Sequence, residues 1–488
     1  MTACRARRHV RHAQATFLGC MLLAGAVRAA YAQDAGSLPA TPTQPANDTA
    51  TTPEPPDVSA LKGGLMTRGA LLGDPWGIRS TLIAHGVSIG ITETSEGLGN
   101  ATGGLQRGAI YEGLAAATLN IDTGKLLGLD GGTISISAYQ VHGRGLSANN
   151  LDNLSTISSI EADRSLRLFE AWYEQSVFAG KAAIRIGQQA ADQEFLISQY
   201  GTLFINSQFG WPTLPGVDLP SGANSYPLGT PGVRLKLQPT DALTALVAVY
   251  NGDPAGKGTG DPQIRDAGGT RFDIDDGVFV IGEMQLAINQ GKGQHGLPGA
   301  YKIGAYYNSN AFGDQETDNQ GRSLADPGSD GNALLHRRDW GVYAVMDQLL
   351  WQHGNGADKG IGLFGRIVGT RGDRNLVSLY VEGGLTWKGM LPGRPDDSLG
   401  MAVGYTQISG RARQLDRDTA FFSGETYPVR DAETVIELTY QAPVTPWLSL
   451  QPDAQYVIHP SGGVPDPDDA VRLIGDEAVF GLRATIAF

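Results

Sequence analysis

Cysteine is nearly absent: the chain of 488 residues has two, Cys4 and Cys20. Both lie ahead of a candidate processing site. The chain beyond that site therefore has no thiol for a disulfide framework or a cysteine-ligated zinc. Basic charge is also short, with 37 Lys and Arg against 50 Asp and Glu and a formal net charge of −13. That balance excludes a surface built for nucleic acid, which needs a basic face. Beyond the first thirty residues no stretch approaches 18 uncharged apolar residues, so no membrane-spanning helix is expected. The eight histidines form no HExxH or similar pair, and nothing calls for a metal or cofactor.

The N-terminus reads as a secretory leader. Arg5, Arg7, Arg8 and Arg11 precede the apolar run ATFLGCMLLAGAV (15–27), and Ala30-Tyr31-Ala32 comes next. A basic region, a short apolar core and an A-x-A site in that order make a signal peptide over 1–32. Its removal makes the remaining chain still more acidic. Residues 33–60, rich in Pro, Thr and Ala with hardly a large apolar side chain, cannot bury enough surface to fold and are expected to be a flexible tether. In GDPWGIRSTLIAHG (73–86), Asp74, Pro75 and Gly86 suit a cap, a first position and a stop, giving one short helix over about 75–85.

From Val87 onward the pattern is strand. Glycine, 67 residues, is about twice its usual share of about 7 % and falls at turns and within alternating runs. GTISISAYQV (132–141), KAAIRIGQQ (181–189), GVRLKLQP (232–239), LVSLYVEGGLTWKG (376–389) and ETVIELTYQ (433–441) each set apolar residues against polar or small ones at a period of two. Between such runs lie loop stretches at 251–269, 313–332, 388–398 and 459–470. The chain ends in AVFGLRATIAF (478–488), with Phe480, Leu482, Ala484, Ile486 and Phe488 on one face and Arg483 and Thr485 on the other. A soluble sandwich would also alternate. The leader, the missing cysteines and the aromatic terminal strand favour a closed antiparallel transmembrane β-barrel over 61–488, all-β, in the outer membrane.

Three motif matches are weak signals of chemistry. GVSIG (86–90) fits G-x-S-x-G, but a nucleophile elbow needs a strand before and a helix after, and here the order is reversed. GDPAGKG (252–258) lacks the P-loop spacing. DIDDG (273–277) lacks the rest of a calcium loop. The polar face of the strands is left. In LFEAWYEQSVF (168–178), Glu170, Trp172 and Glu174 share one face and Phe169, Ala171, Tyr173 and Val177 the other. Forked donors and acceptors beside planar rings suit neutral sugars. By alternation the inward candidates are Arg185, Gln189, Arg234, Lys236, Arg366 and Arg483 as donors. Glu170, Glu283, Glu382 and Glu437 would be acceptors, and Trp172 and Tyr380 stacking faces. Each could equally well hold loops and water in a polar lumen.

Four blocks carry a resemblance: LLGDPWGIRSTLIAHGVSIGITETSEG (71–97), LLGLDGGTISISAYQVHG (126–143), RLFEAWYEQSVFAGKAAIRIGQQAADQEF (167–195) and APVTPWLSLQPDAQYVIHPSGG (442–463). With the terminal aromatic strand they resemble the carbohydrate-selective porins of the OprB family. The resemblance implies a 16-stranded outer-membrane barrel with an inward-folded basic constriction, passing glucose and similar small sugars by facilitated diffusion without enzymatic chemistry. It also implies contact with outer-membrane lipid and barrel-assembly machinery, as a monomer or homotrimer. Glu170, Trp172, Arg185 and Arg234 match family-like inward strand positions. The alternatives are a general or ion-selective porin of the same fold, an outer-membrane hydrolase using Ser88, and an adhesive surface barrel.

Overall fold

The computed structural model describes residues 58–290, 296–353, 359–467 and 469–488. The expected leader and all but the last residues of the expected tether lie outside them. An antiparallel wall begins with β1 (Val87–Thr102), β2 (Gly108–Asp122), β3 (Gly132–Gly143), β4 (Ser165–Val177) and β5 (Ala182–Gln189). It continues through β6 (Thr230–Thr240), β7 (Leu243–Asn251), β8 (Val278–Ile288), β9 (Gly299–Asp318) and β10 (Ala333–Gln352). Then come β11 (Gly360–Thr370), β12 (Val377–Lys388), β13 (Ser398–Ile408), β14 (Ala432–Thr445) and β15 (Leu448–Ile458). A small hairpin, β16 (Pro465–Asp466) and β17 (Asp469–Leu473), stands outside the wall, and β18 (Glu477–Ala487) closes it. β18 pairs with β15 on one side and β1 on the other, so sixteen strands form a closed barrel. Closure leaves no strand edge unpaired, which hydrocarbon requires.

The period of two sorts the side chains as expected. On β18, Val479 and Arg483 are buried inside, while Phe480 and Leu482 are about half exposed on the outer wall. Ile184 and Ile186, Val233 and Leu235, and Leu438 likewise face out. Phe169 departs from this. A bulge opposite Ser137/Ala138 inserts an extra residue, so Phe169 turns inward with Glu170, both buried, and stacks on Tyr139 with ring centroids 4.5 Å apart. A bulge changes face parity, and the alternation in the sequence cannot show it.

The two rims differ. One has tight turns, such as residues 178–181, 241–242 and 446–447; the other carries long connections at 144–164, 190–229, 252–277, 409–431 and 459–476. The loop expected at 313–332 is shorter, because β9 runs on to Asp318. The short helix expected over about 75–85 is present, as a 3-10 turn at Pro75–Gly77 that runs into α1 (Ile78–Ala84). Trp76 and Gly77 have positive φ and interrupt the helical path. The Asp74 carboxylate still caps α1, accepting from the Arg79 and Ser80 amides at 2.9 and 3.3 Å.

Val58–Ala60, expected as the end of the tether, are instead part of a folded strap over 58–73. Gly69 N donates to Ala60 O, Leu71 N to Ala487 O, and Trp447 Nε1 to Leu65 O at 2.6 Å. Arg79 donates to the carbonyls of Phe488 and Ile89.

Candidate functional site: the narrowed lumen

The segment 190–229 enters the barrel. It carries Phe195, Leu196, Leu203, Phe204, Ile205, Phe209 and Leu214, all buried, and a connection this apolar cannot lie in solvent. It packs against inward residues of the wall in two clusters: Phe195, Leu196 and Leu214 with Tyr250, Phe279, Val345 and Tyr380; Phe204 and Phe209 with Phe364. Glycines on the inner wall let it come close. A β-carbon on Gly400 would lie 2.8 Å from Phe204.

Its main-chain groups, which would otherwise be orphaned inside the barrel, are bound by charged side chains of the wall. Arg366 donates to the carbonyls of Leu196, Gln208 and Gly210 at 2.6–2.9 Å and pairs with Glu382 at 2.9 Å. Tyr380 donates to Gln208 O at 3.2 Å and to Glu382. Glu283 accepts from Leu196 N (2.9 Å), and Glu437 from the Ile205 and Asn206 amides (2.6 and 3.0 Å). Asp347 accepts from Ser198, Gln199 and Tyr200. Arg483 pairs with Glu96 and donates to Ser159 Oγ in the 144–164 connection.

What stays open is a cavity of about 1320 Å³ running from Asp261 and Gln263 near the long-loop rim to Trp447 and Phe488 at the tight-turn rim. Ala60, Gly69 and Ala70 of the strap line its tight-turn end. Of the twelve lumen candidates, Glu170, Trp172 and Arg185 line the cavity. Arg366, Tyr380, Glu382, Glu283, Glu437 and Arg483 sit behind the inward segments that they hold. Gln189 donates to Gly232 O at 3.0 Å within the wall. Lys236 is partly exposed on β6 away from the cavity.

The three lining residues form one group with Glu174, Glu194 and Arg234. Arg185 lies over the Trp172 ring, its Cζ 3.8 Å from the centroid. Trp172 Nε1 donates to Glu170 at 3.3 Å. Arg185 pairs with Glu174 at 3.0 Å and with Glu194 at 3.4 Å. Arg234, behind the lining, bridges the same two carboxylates. Glu194 comes from the inward segment, which has no periodicity to give it away. Its one sequence signal is the DQE triplet (192–194) directly after a strand.

The resemblance implied a basic constriction. The lining has one arginine, Arg185, and five carboxylates: Glu161, Glu170, Asp192, Glu194 and Asp261. The other inward arginines are taken up by carboxylates and carbonyls behind the lining. Asp192 accepts from Tyr226 N at 2.7 Å and from Gln193. Burial nonetheless pushes its carboxyl up to about 6. Acidification through about pH 6 therefore neutralises it, and reversal potentials in a salt gradient are expected to shift toward anions between pH 7 and 5.

A closed sixteen-strand barrel, apolar outside and polar within, narrowed by a folded-in connection, is an outer-membrane porin. The chain belongs to the carbohydrate-selective porin, OprB family, whose model matches residues 106–488. It is 24 % identical to Porin B of Pseudomonas aeruginosa over 420 residues, 82 % of this chain and 89 % of that one. It is 25 % identical over 426 residues to a putative porin, QuiX, of Acinetobacter baylyi, 82 % of this chain and 90 % of the relative. The fold matches the high-pH structure of Pseudomonas putida OprB with a TM-score of 0.76 at 22 % identity, covering 87 % of this chain and 100 % of the other. The place of work is the bacterial outer membrane, and the cargo class of the family is carbohydrate.

Proposed function

We propose that this porin passes glucose and similar small neutral sugars passively, and that the sugar is met in the lumen by Trp172, Arg185, Glu170 and Glu194. The observation that carries this reading is the stacked Trp172–Arg185 pair on the cavity wall with carboxylates beside it. A planar apolar surface suits a pyranose face, and adjacent forked donors and acceptors suit its hydroxyls. The contacts are few and open to water, so binding is weak enough for release, as flux requires. No bond is made or broken. The outward apolar residues of β18 meet lipid, and its aromatic end is what assembly machinery would engage. Gln189, Arg234, Glu283, Arg366, Tyr380, Glu382, Glu437 and Arg483 act on sugar only through the shape they give the lumen, and Lys236 lies apart from it.

The five lining carboxylates favour a second reading, a cation-preferring general porin. Swelling of proteoliposomes separates the two. Glucose is expected to enter faster than a zwitterionic amino acid of similar size, and Arg185→Ala is expected to narrow that difference. Equal rates in the unaltered protein would support the general porin.

A further inference from the structure

On the outer face of β10 two tryptophans mark the limits of the apolar wall. Trp340, paired with outward Tyr307 on β9, stands toward the long-loop rim, and Trp351 toward the tight turns; all three are exposed. Between them Val342 and Leu350 are exposed as well. From Trp340 to Trp351 the strand rises by about 36 Å, or about 26 Å along the bilayer normal at a tilt of about 45°, which matches an apolar band about 25 Å tall.

The side chains just beyond Trp340 are arginines. Arg337 pairs with exposed Ala311, whereas His336 before it pairs with buried Phe312 and Asp339 after it with buried Asn308. Arg338 lies where the ladder breaks between Arg337 and Asp339, and its φ is 62°. That left-handed backbone is costly for any residue with a side chain. Arg374, 8 % exposed, fixes it by donating to Arg337 O and Arg338 O at 3.2 and 2.6 Å. Arg371, also exposed, follows Thr370, whose hydroxyl donates to Trp340 O at 2.8 Å. The side chains of Arg337 and Arg338 are exposed and have no hydrogen bond or ion pair among the described residues. The nearby acids are taken: Asp314 pairs with His336, Glu316 with Arg411, and Asp373 with Arg371 and Arg374. Asp339 is buried inside the barrel.

We infer that Arg337 and Arg338, with Arg371 beside them, bind the phosphate of a phosphorylated glycolipid in the outer leaflet. Long loops lie on the extracellular side of such barrels, so this end of β10 meets the leaflet in which phosphorylated glycolipid is concentrated. Three residues beyond Trp340 the strand has climbed about 7 Å above the aromatic ring of the wall, into the headgroup layer. A guanidinium meets phosphate oxygens two at a time. A broken ladder re-aims side chains, and here it sets two arginines next to each other at the membrane surface of a chain whose net charge is −13. Contact of the apolar wall with acyl chains needs neither the arginines nor the strained backbone.

The test titrates the full porin, purified in mild detergent, with lipid A. Arg337→Gln combined with Arg338→Gln is expected to bind lipid A roughly thirtyfold more weakly, because each arginine at an anionic surface contributes about a factor of five. Arg338→Gly is expected to bind about fivefold more weakly, while its barrel unfolds at the same or a higher temperature, because glycine adopts this φ freely. Arg417→Gln, in the 409–431 connection, is expected to bind as the unaltered protein does, and single-channel conductance is expected to be the same in all three. The inference is overturned if the double variant binds lipid A undiminished, or if lipid A stripped of its phosphates binds equally well. It is also overturned if phosphatidylglycerol binds as tightly, or if inorganic phosphate at the concentration of the lipid displaces it, since the patch would then take any anion.

Discussion

Replacing Arg366 with methionine should unlatch the segment 190–229 and raise single-channel conductance by roughly twofold, with added open-channel noise. Arg366 is 2 % exposed and holds three carbonyls of that segment while also neutralising Glu382. Methionine keeps most of the volume and removes all five donors. Glu382 would then be a buried carboxylate with no cation beside it. Breaking such a pair from one side costs about 3–5 kcal/mol, so the temperature at which the barrel unfolds in a gel-shift assay should fall as well. Changing both partners, Arg366→Met with Glu382→Gln, should restore much of the stability but not the low conductance. Conductance that stays at the original value in R366M would show that the apolar clusters alone keep the segment in place.

Trp172→Ala should weaken sugar block of the ionic current about tenfold while conductance without sugar rises only slightly. Removing the ring takes away a flat contact for the sugar and also the surface on which Arg185 rests. A cation–ring contact alone is worth about 0.5–2 kcal/mol, and about 1.4 kcal/mol is one decade in affinity. Trp172→Phe keeps a planar face and should recover part of the loss. A block constant that is the same in W172A as in the unaltered channel would remove Trp172 from the sugar path.

The wall of this barrel is legible in the sequence because a period of two is a local property. Ile436, Leu438 and Tyr440 against Glu437 and Thr439 say which side is wet without reference to another strand. The same alternation puts Arg366, Tyr380, Glu382 and Glu437 inward, and they are inward. What it cannot say is whether an inward side chain meets passing solute or a piece of the chain's own backbone. That depends on where 190–229 goes, and a segment held by side chains rather than by a ladder has no period to reveal it. Its apolar content is the available signal: Phe195, Phe204 and Phe209 between two strands make a connection that must be covered. The helix α2 (Gly410–Ser423) also escapes a reading tuned to strands, although Ser409 caps its start and Gly424 its end. Alternation assigns Phe169 to the wrong face because a bulge shifts parity and leaves no mark in the pattern.

The strap bears on the order of events during assembly. Leu71 is hydrogen-bonded to Ala487, Arg79 reaches the carbonyl of Phe488, and Leu65 is gripped by the indole of Trp447. Residues 65–79 thus find partners on Trp447, Ala487 and Phe488, far along the chain. These contacts of Leu65, Leu71 and Arg79 must wait until the last strand has been zipped against the first. Completion of the inner opening is therefore a report that the cylinder has sealed, and a chain cut short by even a few residues would lose the fastenings of Leu71 and Arg79 on Ala487 and Phe488.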